Sequence, residues 1–181
     1  VISITMYVLQ SIGLYTLADR RGLRHAWLAW LPIGNHWILG CVSDQYQHLI
    51  QGKITARRKL LLGLTFGSFV MGVVNSLSGV LTDAMAHTEQ ELMLWGILSL
   101  LFSVLALGVN IAALVFYHMS NYDLYRSCRP NAATAFLVLG IIFPVCEPFF
   151  YLACRKKDLG MVVPQAEMPA YTELPKAEPE F

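Results

Sequence analysis

Five apolar stretches, separated by short clusters of charged residues, dominate the sequence. They are residues 1–18, 26–42, 60–81, 92–119 and 132–154. The first, third and fourth stretches are uninterrupted, and about 18 helical residues rise about 27 Å, close to the bilayer core of about 30 Å. The pattern therefore predicts an all-α integral membrane helical bundle over residues 1–159, with three spanning helices.

Proline interrupts the other two stretches. Pro32 lies within the second stretch, and Pro144 and Pro148 lie within the fifth. Proline removes a backbone N–H and strains the preceding turn, and the freed groups are tolerated at membrane depth only where protein or water covers them. We expect both stretches to be re-entrant or interfacial segments that enter and leave on one side. The alternative is a bundle of five spanning helices.

The positions of Lys and Arg discriminate between three and five spans, because basic residues accumulate in short cytoplasmic loops. With five spans, seven of the 13 basic residues face one side and six face the other. With three spans, all 13 are cytoplasmic and the outer loop 82–91 has none. The charges favour three spans, with the N-terminus outside and the C-terminus cytoplasmic.

The composition agrees with a membrane protein. Apolar residues make up 56% of the chain and charged residues 14%, against about 25% charged residues in a soluble domain. No basic stripe with interleaved aromatics is present, so nucleic-acid binding is not expected. The four cysteines lack CxxC spacing, and we predict neither a metal site nor a cofactor. Residues 160–181 are rich in Pro and Glu, which predicts a disordered cytoplasmic tail.

Asn35 and His36 are the first candidate ligand-binding residues. They follow Pro32 and Gly34, so they would line a polar pocket at the interrupted backbone. In the alternative interpretation, Gly34 and Asn35 simply reverse the chain and His36 caps the following helix.

Glu147 is the third candidate, because it lies between Cys146 and Pro148 inside an apolar stretch. An ionisable group within a membrane is costly and usually faces a cavity or a partner. Burial would raise its pKa, which suits a proton carrier or a cation ligand. If the segment is shallow, Glu147 instead reaches the headgroups or pairs with a basic loop.

Small and amide side chains on the spanning stretches are candidate helix-packing residues. They are Gly63, Gly67, Ser68, Gly72, Asn75, Ser76 and Asn110. Small residues at four-residue spacing let another helix approach closely, and amides hydrogen-bond across such interfaces. The spacing leaves open whether the partner helix is internal or belongs to another chain.

Catalytic motifs are missing from the sequence. The histidines form no HExxH pair, and there is neither a GxSxG elbow nor a glycine-rich phosphate loop. We therefore assign no catalytic residue and do not expect an enzyme.

One signature resembles a group of small bacterial multi-pass membrane proteins that have no assigned activity. It consists of Trp-Leu-Ala-Trp-Leu-Pro at 27–32, Asn35, Trp-Ile-Leu-Gly at 37–40 and Ser-Asp-Gln-Tyr at 43–46. The preceding basic residues with Gly22, and Lys157-Asp158-Leu159-Gly160-Met161, are also similar. The resemblance implies a bacterial cytoplasmic (plasma) membrane location and transfers no catalytic residue.

Three functions are compatible with these features, in descending order. The first is a non-enzymatic accessory or regulatory subunit that acts by helix association in the lipid bilayer, with a membrane-protein partner or as a homo-oligomer. The second is a small oligomeric transporter or channel that uses the interrupted segments. The third is an intramembrane enzyme.

Overall fold

A computed structural model describes residues 2–85 and 89–161, and these residues form helices and connecting turns with no β-strand. The helices are α1 (Ile2–Arg20), α2 (Pro32–Gln51), α3 (Arg57–Met85), α4 (Glu89–Cys128), α5 (Ala133–Ile142) and α6 (Glu147–Cys154). Short 3₁₀ turns occupy Ala26–Trp30, Pro130–Ala132, Pro144–Cys146 and Leu159–Met161. The all-α prediction is confirmed for the described residues. Apart from its first two positions, the predicted tail lies outside them.

Helices α3 and α4 form an antiparallel hairpin. A Cβ atom at Gly67 would lie 3.8 Å from Val109, and Ser103 donates a hydrogen bond of 3.1 Å to Asn75. Among the described residues, these are the two helices that are long and apolar enough to cross a membrane. Only 6% of the apolar window in α3 is buried by protein, and none of that in α4.

The remaining elements form a packed domain, which we define as α1, α2, α5, α6, the 3₁₀ turns and the adjoining ends of α3 and α4. Its fully or almost fully buried side chains include Leu14, Leu17, Ile38, Leu39, Leu124, Tyr125 and Tyr151. Burial of each such side chain contributes roughly 1.5–3 kcal/mol. A single apolar core therefore holds these elements together.

Helix α4 continues beyond the predicted span 92–119 to Cys128. Polar residues follow the apolar stretch, but Asn121, Asp123 and Ser127 are buried and hydrogen-bonded. Because these groups find partners inside the packed domain, the helix has no reason to end at the apolar boundary. One helix thus serves both regions of the molecule.

Each proline-interrupted stretch folds back on itself. Leu31 is extended and α2 starts at Pro32. Proline suits this position because a backbone N–H at the start of a helix has no hydrogen-bond partner within that helix. In the second stretch α5 ends at Ile142 and a turn beginning with Pro144 leads into α6. The rings of Phe136 and Phe150 stack with centroids 4.6 Å apart, so α5 and α6 lie side by side in opposite directions.

The N-terminal half of the chain (α1 and α2) and the C-terminal half (α4 to α6) pack so that the long helix of each half lies against the proline-interrupted segment of the other. Helix α1 lies mainly against α6, whereas α4 lies more against α2 than against α6. Helix α1 approaches α6 closely at Gly13, where an added Cβ atom would lie 2.8 Å from the backbone of α6. In each half, a long helix is followed by basic residues and then by a segment that turns back at a proline.

An ionic cluster joins the ends of both halves, and we call this side of the packed domain the basic end. Asp158 accepts hydrogen bonds from Arg20 (2.9 Å) and Arg21 (2.6 Å). Arg21 also donates to Ser127 at 2.9 Å. The guanidinium of Arg21 is almost fully buried, so the cluster fixes α1, α4 and the segment after α6 to one another.

Candidate functional site

A polar network surrounds Glu147 at the start of α6. Tyr117 Oη and Asn121 Nδ2 each donate a hydrogen bond of 2.7 Å to Glu147 Oε1. These donors are four residues apart on α4, so they lie on one face of that helix. Tyr151 Oη, one turn further along α6, donates to Asn121 Oδ1. Gln10 on α1 completes the network with a contact of 3.5 Å to Tyr117 Oη.

The environment of Glu147 has opposing effects on its carboxyl group. Burial raises the pKa of Glu147, and the hydrogen bonds from Tyr117 and Asn121 act to lower it, with the net shift upward. The side chain lies in α6, outside the two candidate spans. A carboxyl group in this setting can hold a proton at a pH where an exposed carboxylate would be ionised.

His36 approaches the same network from α2. Its ring centroid lies 5.5 Å from that of Tyr117, and its Nδ1 lies 3.1 Å from the carbonyl oxygen of Pro32. A cavity of about 270 Å³ next to both rings is also lined by Ser68 and Asn110. Tyr117 therefore contacts Glu147 and borders the cavity beside His36.

Asn35 does not join this network. It is buried, and its Nδ2 donates to the carbonyl oxygen of Ala29 at 3.3 Å. This bond fixes the turn Ala26–Trp30 against the first turn of α2. The chain reversal takes place at Leu31 and Pro32, so His36 lies inside α2 rather than at a helix cap.

The predicted helix-packing residues occupy different places. Gly67 and Asn75 face α4 within the hairpin. Asn110 and Ser76 donate to carbonyl oxygens one turn back in their own helices, at 2.8 and 2.9 Å. A Cβ atom at Gly63 or Gly72 would have no neighbour within 4 Å. Gly67 and Asn75 therefore contact α4 within the hairpin, whereas Gly63 and Gly72 have no cover from the described residues.

A second buried polar cluster, centred on Asp123, was not predicted. Its Oδ2 accepts hydrogen bonds from Ser43 (2.7 Å), Gln47 (2.9 Å) and Arg57 (2.7 Å). The side chains of Arg57 and Asp123 are only 17% and 6% exposed. The sequence offered one signal, since Ser43 and Gln47 are four residues apart and share a helix face.

Asp44 fixes the start of α3. It accepts hydrogen bonds from the backbone N–H of Arg57 (2.9 Å) and Arg58 (3.3 Å), and from Thr55 Oγ1 (2.7 Å). A carboxylate at the N-terminus of a helix satisfies free N–H groups and complements the helix dipole. Neighbouring residues of the Ser-Asp-Gln-Tyr signature thus tie α2 to α3 through Asp44 and to α4 through Ser43.

No known protein family matches this sequence, and no curated protein or solved structure is similar to it. Within the described ranges, no group of three or more His, Cys, Asp or Glu side chains is arranged to hold a metal ion. The features of the molecule that bear on function are the hairpin, the Glu147 network and the basic end.

Proposed function

We propose that this chain is an integral membrane protein of the bacterial cytoplasmic membrane in which α3 and α4 cross the bilayer. The observation that carries the proposal is the uncovered apolar surface of the hairpin, with side chains such as Phe69 and Leu101 more than 60% exposed. Soluble monomers rarely expose contiguous apolar patches beyond a few hundred Å². Lipid tails remove the cost of that exposure.

We extend this placement to the topology with three spans, in which the third is α1, a helix of 19 residues whose apolar character falls short of that of the two other spans. Two features support it. Basic residues at the end of α1, the start of α3 and the end of α4 all belong to the basic end, as the positive-inside rule requires of a cytoplasmic face. Both proline-interrupted segments turn back on themselves, which suits re-entrant entry from that face.

The topology is tested by labelling single cysteines in intact cells with an impermeant thiol reagent. The cysteines are placed at Gln51, Ala86, Asn131 and Ala166 in a cysteine-free background. We expect only Ala86→Cys to react. Reaction of Gln51→Cys and Asn131→Cys, with Ala86→Cys protected, would establish five spans.

Within the membrane, the proposed role is that of a non-enzymatic accessory or regulatory subunit that acts by helix association. The support comes from one face of α3, where Gly72 and Ser76 are exposed and an added Cβ atom at Gly72 would have no neighbour within 4 Å. Gly63 is also open but lies on the opposite face of the helix. Small residues on a membrane helix allow close approach by a second helix. The partner is another membrane protein or a second copy of this chain.

Replacing Gly72 with Leu tests this role. The wild-type protein, purified in a mild detergent, is expected to carry a stoichiometric partner or to form a dimer, and Gly72→Leu is expected to release it. Gly108→Leu is the matched control, because Gly108 is equally open but lies on α4. A wild-type monomer without a partner, or equal release by both variants, contradicts the proposal.

Transport is the second candidate function, and the contacts of Tyr117 with both Glu147 and His36 favour it. A protonatable group beside a cavity at membrane depth is typical of proton-coupled pathways. The test is proton flux into proteoliposomes under a potassium-driven membrane potential. Glu147→Gln should abolish the flux and Glu147→Asp should retain part of it. Equal flux in wild type and Glu147→Gln removes this candidate.

A further inference from the structure

An amphiphilic groove opens at the basic end, between α2, α4 and α5. Its volume is about 510 Å³, within the range typical of ligand sites. Polar side chains lie at one end of the groove and apolar side chains along the rest. The lining residues used below are Gln51, Arg57, Arg126, Leu114, Val115 and Leu137.

The groove is long enough to hold more than a headgroup. Arg126 and Leu114 both line it and are 12 residues apart on α4, which corresponds to roughly 18 Å along a helix. One leaflet of the hydrocarbon core is about 15 Å thick. The groove therefore runs from the basic end to a depth that matches one leaflet, with an apolar wall at the deep end.

The charges that face the groove leave Arg126 uncompensated. Arg57 is paired with Asp123, whose oxygen also accepts from Ser43 and Gln47. Arg126 is exposed, and its guanidinium lies 5.8 Å from the ring centroid of Tyr122. None of the ion pairs among the described residues includes Arg126. The net charge at the mouth of the groove is positive.

We propose that this groove is a binding site for one anionic phospholipid, with its phosphate at Arg126 and Gln51 and one acyl chain along Leu114 and Val115. A guanidinium offers a rigid fork of donors that matches phosphate oxygens. Basic pockets between membrane helices on the cytoplasmic side bind anionic headgroups for this reason. The inference rests on the membrane placement proposed above and is independent of the accessory role.

Lipid retention tests the site. The protein is reconstituted into bilayers of equal parts phosphatidylglycerol and phosphatidylcholine, extracted in mild detergent and analysed by native mass spectrometry. We expect one retained phosphatidylglycerol in preference to phosphatidylcholine. Arg126→Gln should lower that preference about tenfold, the usual scale for a charged hydrogen bond. Lys156→Gln is the matched control, since it removes an exposed charge at the same end without lining the groove.

A second variant tests the contribution of the apolar wall to lipid binding without changing the charge of the groove. Val115→Trp fills the groove and keeps both arginines, so retained lipid should fall while the folded protein persists. Equal retention of the two lipids by the wild type refutes the proposed site. Equal loss of retained phosphatidylglycerol in Arg126→Gln and Lys156→Gln refutes it as well. Displacement of the lipid by millimolar inorganic phosphate would assign the site to free phosphate instead. Failure to float with vesicles at all would instead refute the membrane placement.

Discussion

Glycine serves opposite purposes in the packed domain and in the hairpin. In the packed domain, a Cβ atom at Gly13 or Gly40 would collide with the backbone of another helix, because two segments approach closely there. In the hairpin, a Cβ atom at Gly72 or Gly108 would meet nothing. The packed domain is therefore specified by its own internal contacts, whereas the hairpin depends on its surroundings for cover.

Polar groups show the same contrast. In the packed domain, Asp123 and Glu147 receive hydrogen bonds from residues that are distant in sequence. In the hairpin, Ser76 and Asn110 bond mainly within their own helices, and Asn75 forms the cross-helix bond with Ser103. Where the hairpin side chains are described, these hydrogen bonds lie mainly within each helix, so we expect α3 and α4 to tolerate a change of neighbour more easily than the packed domain does.

The largest effect is expected at Gly40. Gly40→Leu places a side chain against the backbone of Arg58, and overpacking of this kind costs about 3 kcal/mol or more. Gly108→Leu adds the same side chain to the hairpin, away from the proposed helix contact at Gly72, and should leave the melting temperature in mild detergent unchanged within error. Comparable losses in both variants would show that the hairpin is also tightly packed and would remove the contrast.

Loss of the Asp123 carboxylate should have the next largest effect. Asp123→Ala leaves the nearly buried Arg57 without its partner, and breaking such a pair costs about 3–5 kcal/mol. Asn75→Ala removes the cross-helix bond in the hairpin, and bonds of this kind contribute about 0.6 kcal/mol in membranes. Thermal unfolding of the two variants in the same detergent measures the difference. A small loss in Asp123→Ala would mean that water already solvates the cluster.

The smallest effect is a pH dependence that resides in the packed domain. Because the pKa of folded Glu147 is raised, protonation stabilises the fold at low pH, and this contribution is lost as the pH rises from about 4.5 through the raised value. Glu147→Gln, which does not ionise, should lack this loss, which is at most about 1.4 kcal/mol per pH unit.

The measurement compares melting temperatures of the two proteins in detergent from about pH 4 to about pH 7. The apolar windows of the hairpin, residues 62–80 and 93–115, hold no titratable side chain, so they add nothing to the difference. Parallel curves for wild type and Glu147→Gln would show that the carboxyl is solvated in the folded protein.

Much of the helical pattern could be predicted from the sequence. The uninterrupted stretches 60–81 and 92–119 lie within α3 and α4, because a run of apolar residues of that length has few other stable forms. The prolines marked the places where α2 and the turn before α6 begin. The extension of α4 to Cys128 was missed, since its cause is burial of Asn121 and Asp123 by other elements.

The site could be predicted only in part for the same reason. Glu147 stands out as a carboxyl in an apolar stretch, but its donors Tyr117 and Asn121 are ordinary residues until the fold brings them to α6. Asp123 lies in a polar stretch and gave no such signal. Hydrogen-bond partners that are far apart in sequence are brought together by packing, which a single sequence does not reveal.

The ionic bond between Arg21 and Asp158 can form only late in synthesis of the chain. These residues are 137 positions apart, which a ribosome covers in roughly 7–27 s at about 5–20 residues per second. During this interval the surface of α1 around Gly13, which packs on α6 in the finished protein, has no partner. The α3–α4 hairpin needs only its own neighbouring segments and can pair first. Helix α1 can therefore pack early on the Ala26–Trp30 turn and α2, but it completes its packing only after α6 has been made.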